Sequence, residues 1–229
     1  MKKISIKNVV TFRGKSEKNK KIFVTNLMID KTKVDTDSGG GDYWVTSLSA
    51  ISNSFKLNNL NSIINKRDEL EEKYGETKIK KTKTMYKRNI DVLYNYENFD
   101  LKKWMPSETI TFLKKDKSDF ILSRNELQLE AIPKYVFMFQ RNGVKEIGAI
   151  WFIAKLNGFK NEELGMFADI LYQYLHTHFS KDYNLNPKYC IAVDVFNKID
   201  INYSQLEKGE IPFLLNSTLD EIKNLLKIN

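Results

Sequence analysis

Side chains that could support metal-dependent hydrolysis of a phosphodiester are concentrated between positions 130 and 170. Hydrolysis of this kind uses carboxylates to hold Mg²⁺ and a lysine to position the attacking water. In chain order, the candidates are Glu130, Lys134, Glu146, Lys155, Glu162, Glu163 and Asp169. Because a lysine repels a divalent cation, two lysines in this stretch favour binding a phosphate backbone over cutting it.

Other reactive residue types give weaker patterns. His176 and His178 are two positions apart, so on one helix they face different directions and make a poor metal pair. Cys190 lies in an apolar strand pattern, which predicts a buried and inert thiol. Asp194 follows it, and we interpret it as a polar strand end, with a role in a site as the less favoured alternative. We therefore predict no metal site and no cofactor.

The pattern around these residues predicts a hairpin, a helix and a further strand. Tyr135–Phe139 and Ile147–Ala154 are apolar runs typical of strands covered on both faces, and Arg141-Asn142-Gly143 favours a tight turn between them. Asn161 is the predicted cap of the helix that follows, and Cys190–Phe196 is the next strand. Shorter elements are predicted as strands at Ile110–Leu113, Asp119–Leu122 and Leu127–Ile132, and as a final helix capped by Ser217.

Residues 131–196 resemble the common core of the PD-(D/E)XK nuclease superfamily, in particular its RecB-like branch. That core has Pro-Asp at the start of one strand and Glu-x-Lys at the end of the next. Here Pro133-Lys134 stands where Pro-Asp would be, and Ile153-Ala154-Lys155 stands where Glu-x-Lys would be. The lysine of the motif is present, and both acids are replaced.

The resemblance implies an α/β fold in which a mixed β-sheet is flanked by helices. It also implies Mg²⁺ as the cofactor of any active form. In some members of the family the second acid has moved to the helix, so Glu163 or Asp169, with Glu130 and Lys155, would form the catalytic set if this chain were active. With both motif acids replaced, we predict a degenerate, non-catalytic version of the core.

The first half of the chain predicts a different arrangement. Residues 3–12 and 22–29 alternate apolar and polar side chains and are interpreted as two strands joined by a basic loop. Residues 39–41 are three glycines, which predict a flexible connector. Asp42 is the predicted N-cap of a long helix that ends at Gly75, with a break near Asn58-Asn59.

The most basic stretch of the chain follows this helix. Its candidate contacts to nucleic acid are Lys78, Lys80, Lys81, Lys83, Tyr86, Lys87 and Arg88, with Lys134 and Lys155 added from the second half. Lysines would bind phosphate, and the tyrosine ring could stack on a base. The loop lysines Lys15, Lys18, Lys20 and Lys21 would assist. The alternative is a solvated helix face or loop without a ligand.

Composition sets the remaining limits. The chain has 229 residues, 41% of them hydrophobic, and one cysteine, which suits a folded protein of the reducing cytoplasm. No apolar run is long enough for a membrane span or a signal peptide. Positions 1–117 hold 25 Lys/Arg against 15 Asp/Glu, whereas positions 118–229 hold 12 against 14. This asymmetry indicates that the first half faces a polyanion.

We therefore predict two regions. Residues 1–106 form a basic N-terminal region with two strands, a long helix and the basic segment, and residues 107–229 form the α/β nuclease-like core. The predicted function is nucleic-acid binding, DNA or RNA, without catalysis and without a membrane. An accessory factor of a mobile element or a bacterial defence system would fit this description. The alternatives are an active Mg²⁺-dependent nuclease and an immunity or inhibitor module that binds an acidic protein.

Overall fold

The computed structural model describes residues 3–28, 43–114 and 121–228. The helices are α1 (Ile6–Arg13), α2 (Glu17–Met28), α3 (Val45–Leu57), α4 (Asn61–Glu76), α5 (Lys80–Asn95), α6 (Asn161–Phe179), α7 (Tyr203–Glu207) and α8 (Leu215–Ile228), with a 3₁₀ helix at Leu101–Trp104. The strands are β1 (Ile4–Ser5), β2 (Thr111–Phe112), β3 (Ile121–Arg124), β4 (Leu127–Glu130), β5 (Tyr135–Arg141), β6 (Val144–Ile153), β7 (Asn184–Asp194) and β8 (Ile199–Asn202).

A five-stranded sheet with the order β2-β5-β6-β7-β8 organises the fold. β6 and β7 are parallel, and the other neighbours are antiparallel. The chain passes through α6 between β6 and β7, as the crossover between parallel strands requires. The predicted mixed sheet flanked by helices is therefore confirmed. Its relation to the nuclease core stays a prediction.

The hairpin between β5 and β6 turns at Asn142 and Gly143, whose φ angles are +50° and +81°. Two successive positive φ angles are the signature of the tight turn that matches strand twist, and Asn-Gly is its preferred sequence. The register is continuous from Tyr135 opposite Ile150 to Arg141 opposite Val144. The predicted hairpin is confirmed.

Side chains on the two faces of the sheet enter two separate apolar clusters. Along β6, Ile147 and Ala149 face the cluster that includes α6 and α8, whereas Ile150 and Phe152 face the cluster built with α3, α4 and α5. Strands with both faces covered explain the continuous apolar runs in the sequence. No helix in the described parts of the chain is long and apolar enough to cross a bilayer.

The two strands predicted for residues 3–12 and 22–29 are wrong apart from the short strand at Ile4–Ser5, because residues 6–12 lie in helix α1 and residues 22–28 lie in helix α2, with residue 29 outside the described residues. The Ser5 side chain accepts a hydrogen bond from the backbone N–H of Asn8 and caps α1. Ile6, Val9 and Val10 then have the spacing of a buried helix face. Ile4, Ile6, Val10 and Phe12 suggest alternation, but Val9 and Val10 are adjacent and both buried, which fits a helix face and not a strand with one buried face.

These N-terminal elements pack with the second half of the chain. β1 pairs in parallel with β4, the middle strand of a small sheet with the order β1-β4-β3. α1 contacts α6 and α8, and α2 contacts α8. Residues 4–28 therefore belong to the apolar cluster on the α6 side of the main sheet, whereas α3, α4 and α5 cover its other side.

Several predicted helix ends differ from the structure. α3 starts after Trp44, and Asp42 and the three glycines before it lie outside the described residues. The predicted break near Asn58-Asn59 is confirmed, because Asn58 adopts a φ of +49° and ends α3. Lys160, not Asn161, is the N-cap of α6. Ser217 lies inside α8, where its hydroxyl bonds to the Leu214 carbonyl, so it does not cap that helix.

The short predicted strands are found with small shifts. β2, β3 and β4 occupy the regions predicted for them, although residues 115–120 lie outside the description. β7 begins at Asn184, six residues before the predicted start, because Asn184 and Leu185 already pair with Glu146 and Ile147 of β6. The parallel pair is therefore longer than its apolar centre suggests.

Candidate nucleic-acid interface

α5 carries the most basic surface of the described chain. The helix turns about 100° per residue, so residues that face the core recur on one side of it. That buried side consists of Asn89, Ile90, Val92 and Leu93. The cations of α5 lie mainly on the opposite side, and with Lys78, which precedes the helix, they make up the set that we call the basic face: Lys78, Lys80, Lys81, Lys83, Lys87 and Arg88.

A groove of about 340 Å³ runs along this face between α4 and α5. It is lined by Tyr74 of α4 and by Lys80, Lys83, Thr84, Lys87 and Arg88 of α5. The Lys83 ammonium lies 4.8 Å from the centre of the Tyr74 ring, and the Arg88 guanidinium lies 5.6 Å from the centre of the Tyr43 ring. Such cation–π contacts hold a charged group in place without neutralising it.

Most cations of the basic face lack an acidic partner. Lys78, Lys80, Lys81 and Lys83 form no ion pair with any carboxylate in residues 3–28, 43–114 and 121–228. Lys87 is the exception, since its ammonium lies 2.6 Å from the carboxylate of Asp91, one turn later. The groove therefore combines unneutralised positive charge with an aromatic ring.

The lysines of the first helices are placed differently. The predicted loop at residues 13–21 is mostly helix α2, which begins at Glu17. Lys20 bonds to Glu221 at 2.6 Å and to Glu17 at 3.0 Å, and these hydrogen bonds raise the pKa of Lys20. Lys20 therefore joins α2 to α8, which leaves Lys15, Lys18 and Lys21 as the exposed or half-buried cations of this segment.

Tyr86 also lies on α5 but outside the groove. Its side chain is half-buried and packs against the apolar cluster formed by α3, α4 and α5 with the sheet. The ring that lines the groove is instead Tyr74, from the last full turn of α4. Tyr74 and Tyr86 cannot be told apart by local pattern, because both stand at helical spacing from apolar neighbours.

Lys155 lies at a second place, the corner between the end of β6 and the start of α6. Its ammonium is 3.0 Å from the carboxylate of Glu163 and 4.6 Å from the centre of the Phe159 ring. The same Glu163 carboxylate accepts a hydrogen bond of 2.8 Å from the backbone N–H of Lys160 at the helix cap. Lys155 is therefore paired with a carboxylate that also caps α6.

Asp194 organises the same corner from the neighbouring strand β7. The carboxylate is fully buried and accepts hydrogen bonds from the backbone N–H of Phe159 at 2.8 Å and of Phe196 at 3.0 Å. It also accepts one from the Asn197 side chain at 3.1 Å. Burial raises the pKa of Asp194, and these hydrogen bonds oppose that shift. The carboxylate therefore fixes the loop before α6 through hydrogen bonds. This fits the interpretation of Asp194 as a polar residue at the end of a strand.

Gly158 permits this arrangement. A Cβ atom at this position would lie 1.7 Å from the Asn197 amide nitrogen and 2.5 Å from an Asp194 carboxylate oxygen. Its φ is +71°, a region that L residues rarely adopt. Only glycine therefore lets the loop approach Asp194 closely enough for the Phe159 hydrogen bond.

Lys134 lies at the start of β5, on the rim of a cleft of about 490 Å³. The other lining residues come from α3, β5, β6 and the segment before β5 and are mainly apolar: Val45, Leu48, Ser49, Ile132, Pro133, Tyr135, Trp151 and Phe152. Partial burial lowers the pKa of Lys134. This lysine is separated in the fold from the groove on α5.

The predicted catalytic acids do not form one metal site. Glu130 is exposed at the end of β4 in the small sheet, whereas Asp169 is buried on α6, where Gln173 donates a hydrogen bond to it. Glu163 is held by Lys155 and Lys160. In the described parts of the chain, no three His, Cys, Asp or Glu side chains are grouped so that they could hold a metal ion. These donors do not fit the Mg²⁺ that the nuclease resemblance implies.

The remaining candidates are Cys190 and the two histidines. Cys190 is fully buried, and burial raises the pKa of its thiol, which disfavours the reactive thiolate. His176 is exposed and His178 is half-buried on the last turns of α6. Tyr43, Tyr74, Thr84 and Gly158 are the residues of these sites that the sequence analysis does not identify.

A comparison with protein-family models, with curated proteins and with solved structures finds no match to this chain.

Proposed function

We propose that this protein binds the phosphate backbone of nucleic acid through the basic face of α5. The observation that supports this most directly is the set of four lysines without acidic partners, beside a groove that two further cations line. Some cations elsewhere are paired internally, as with Lys20, Arg67 and Lys155, whereas single surface lysines such as Lys145 and Lys208 are not paired with a described carboxylate, so the clustering of unpaired cations is what distinguishes α5. Unpaired cations on one helix face are what a polyanion requires.

The position of these lysines along the helix adds support. Lys80, Lys81 and Lys83 occupy the first turn of α5, where the unpaired backbone N–H groups already give a partial positive charge. The first turn contains no acidic residue, and the N-cap Ile79 offers no side-chain acceptor. Lysines at this end destabilise a free helix. A bound phosphate would neutralise their charge and would also accept hydrogen bonds from the uncapped N–H groups. Residues that lower the stability of the element carrying them are often found at functional sites.

The test compares the affinity of the unchanged chain and of three variants for a short labelled oligonucleotide. The variant Lys80→Ala/Lys81→Ala/Lys83→Ala removes three charges from the basic face. We expect its affinity to fall about 30-fold near 0.1 M salt, and the dependence of log K on log salt to become shallower by roughly two units. Fluorescence anisotropy over a salt series measures both, with single-stranded and duplex DNA and RNA.

Two controls make the result interpretable. Lys145→Ala/Lys181→Ala/Lys208→Ala removes the same charge from exposed positions on other elements and should change the affinity less than about three-fold, since distant charges are screened. Lys155→Ala should likewise leave the affinity almost unchanged, because that lysine is held by Glu163. Equal losses in all three variants, or no binding at low salt, would refute the proposal.

The same preparations separate the alternatives. Absence of nucleic-acid binding together with capture of one stoichiometric acidic protein would favour the interaction module. Cutting of plasmid or single-stranded DNA that needs Mg²⁺ or Mn²⁺, stops with EDTA and is lost in Glu130→Ala or Glu163→Ala would instead favour the nuclease. We do not expect the nuclease, because no three His, Cys, Asp or Glu side chains of the described residues are grouped so that they could hold the metal ion.

A further inference from the structure

The cleft that Lys134 borders, which we call the Lys134 cleft, has the size and lining of a small-molecule site. Its volume is about 490 Å³, and seven of its nine lining residues are apolar or aromatic. The other two are Ser49 and Lys134. Small-molecule sites in proteins are typically apolar cavities of this size in which a few polar groups orient the ligand.

Regular elements hold the walls of this cleft in place. The backbone N–H of Lys134 donates a hydrogen bond of 3.0 Å to the Ile150 carbonyl, which continues the ladder between β5 and β6. Trp151, near the carboxyl end of β6, pairs with Ala192 of the parallel strand β7. In open α/β sheets, ligands commonly bind outside the carboxyl ends of parallel strands. The Lys134 cleft is therefore a rigid cavity at a favoured end of the sheet.

Apolar side chains of the Lys134 cleft remain in contact with solvent. Val45 is 53% exposed and Ile132 is 39% exposed, whereas Tyr135 and Trp151 are half-buried. Exposed apolar side chains that are scattered singly need no explanation, but a group of them around one cavity marks a binding surface. A ligand with an apolar body would cover this group.

Lys134 determines which charge such a ligand should carry. It is the one charged side chain among the described lining residues, and its ammonium lies 5.8 Å from the centre of the Tyr135 ring. Partial burial lowers the pKa of Lys134, as expected where apolar walls displace water from a cation. A carboxylate would compensate for that lost water with a charge-assisted hydrogen bond. The rings of Tyr135, Trp151 and Phe152 favour a flat aromatic body beside it.

We propose that the Lys134 cleft binds a small aromatic carboxylic acid. Its carboxylate pairs with the Lys134 ammonium, and its ring lies between α3 and the end of β6. The cleft shares no lining residue with the groove on α5, so this site is separate from the basic face.

The test uses 2-naphthoate and its uncharged analogue 2-naphthalenemethanol, with binding measured by isothermal titration calorimetry. Lys134→Gln should weaken the binding of 2-naphthoate about tenfold, because the charged hydrogen bond is lost. The same variant should change the binding of the alcohol less than about two-fold, since the apolar walls are intact. Lys134→Arg keeps the charge and should bind 2-naphthoate within about three-fold of the unchanged chain.

A second pair of variants tests the position of the ligand. Val45→Trp places an indole at the exposed mouth of the cleft and should abolish binding of both probes. Leu57→Trp adds the same indole to the same helix at a position that is 61% exposed and outside the cleft, so it should bind like the unchanged chain. Thermal unfolding of every variant shows that the fold is retained.

Several outcomes would overturn this inference. They are the absence of 2-naphthoate binding to the unchanged chain, equal losses for the acid and the alcohol in Lys134→Gln, and full binding by Val45→Trp. Displacement of 2-naphthoate by a short oligonucleotide would assign the cleft to nucleic acid and would overturn it as well. The variant Lys80→Ala/Lys81→Ala/Lys83→Ala should bind 2-naphthoate normally. If 2-naphthoate binds as expected and the oligonucleotide does not bind at low salt, this inference stands and the proposed function fails.

Discussion

Two regions of this molecule contain lysines that the sequence marks as phosphate contacts, and the structure uses them in opposite ways. At the corner between β6 and α6, Lys155 binds Glu163 and lies over Phe159, so its charge stabilises the junction. On α5, Lys80, Lys81 and Lys83 face outward without carboxylate partners. The comparison teaches that a lysine already paired with a carboxylate of its own chain is less able to bind an external anion than a lysine without such a pair.

The two regions also differ in rigidity. The corner is fixed by a buried carboxylate, three hydrogen bonds to it and a glycine with no room for a side chain. The basic face is one side of a helix whose side chains extend into a groove. Substitutions in the corner should therefore change stability, and substitutions on the basic face should change affinity.

The largest expected effect is on stability and comes from Gly158→Ala. The new Cβ would collide with Asn197 and Asp194 and would have to adopt a positive φ. We expect a loss of at least about 3 kcal/mol in the free energy of unfolding, measured by urea denaturation. Gly209→Ala is the matched control, because Gly209 has a φ of +74° but nothing within 4 Å of the added atom. It should cost only about 1 kcal/mol. Similar losses in both variants would show that the corner is not tightly packed.

An intermediate effect is expected from Asp169→Asn on the neighbouring helix α6. Burial raises the pKa of the Asp169 carboxyl in the folded protein, so the folded state holds the proton more strongly than the unfolded state. Stability is therefore highest below the unfolded pKa and falls as pH rises through the folded pKa. Asparagine has no charge to bury, so the variant should be more stable than the wild type by about 1 kcal/mol at pH 7.

That advantage should disappear near pH 3, below the ordinary carboxyl pKa of 3.8, where the carboxyl is protonated in both the folded and the unfolded state. Urea denaturation at both pH values measures the difference, with the exposed Asp182→Asn as the control. A gain that is the same at both pH values would mean that ionisation of Asp169 is not its cause. The affinity for nucleic acid should not change, since Asp169 is buried and outside the groove.

The smallest effect is expected from Asp91→Asn within the basic face. Asp91 neutralises Lys87, so its removal frees one more cation beside the groove. The affinity for a short oligonucleotide should rise about three-fold at low salt, and the gain should vanish at high salt. Asp182→Asn makes the same change in net charge elsewhere, and an equal gain from it would attribute the effect to net charge alone.

Parts of this structure could be predicted from the sequence because local rules decide them. The Asn142-Gly143 turn and the apolar runs beside it specify the β5–β6 hairpin and its burial on both faces. The first helices were missed because Ile4, Ile6, Val10 and Phe12 alternate over a few residues. The Ser5 cap, which bonds to the N–H of Asn8, was the signal that could have corrected the interpretation.

The candidate site was only partly predictable, because pairing depends on tertiary contacts. The basic segment was found from composition alone, and α5 orders it into one face. By contrast, the partner of Lys155 is set by the position of the loop at residues 156–160, which depends on Asp194 in a strand that follows α6. Likewise, Tyr74 lines the groove and Tyr86 does not because of how α4 packs on α5. No local pattern contains this information.

The parallel pairing of β1 with β4 has a consequence for biosynthesis. The segment from Ile4 to Met28 is translated before its partners β4, α6 and α8, which lie about a hundred residues or more further along the chain. At ordinary elongation rates its apolar side chains remain without these partners for on the order of ten seconds. During synthesis the segment can therefore reach its native place only after the second half of the chain has been made.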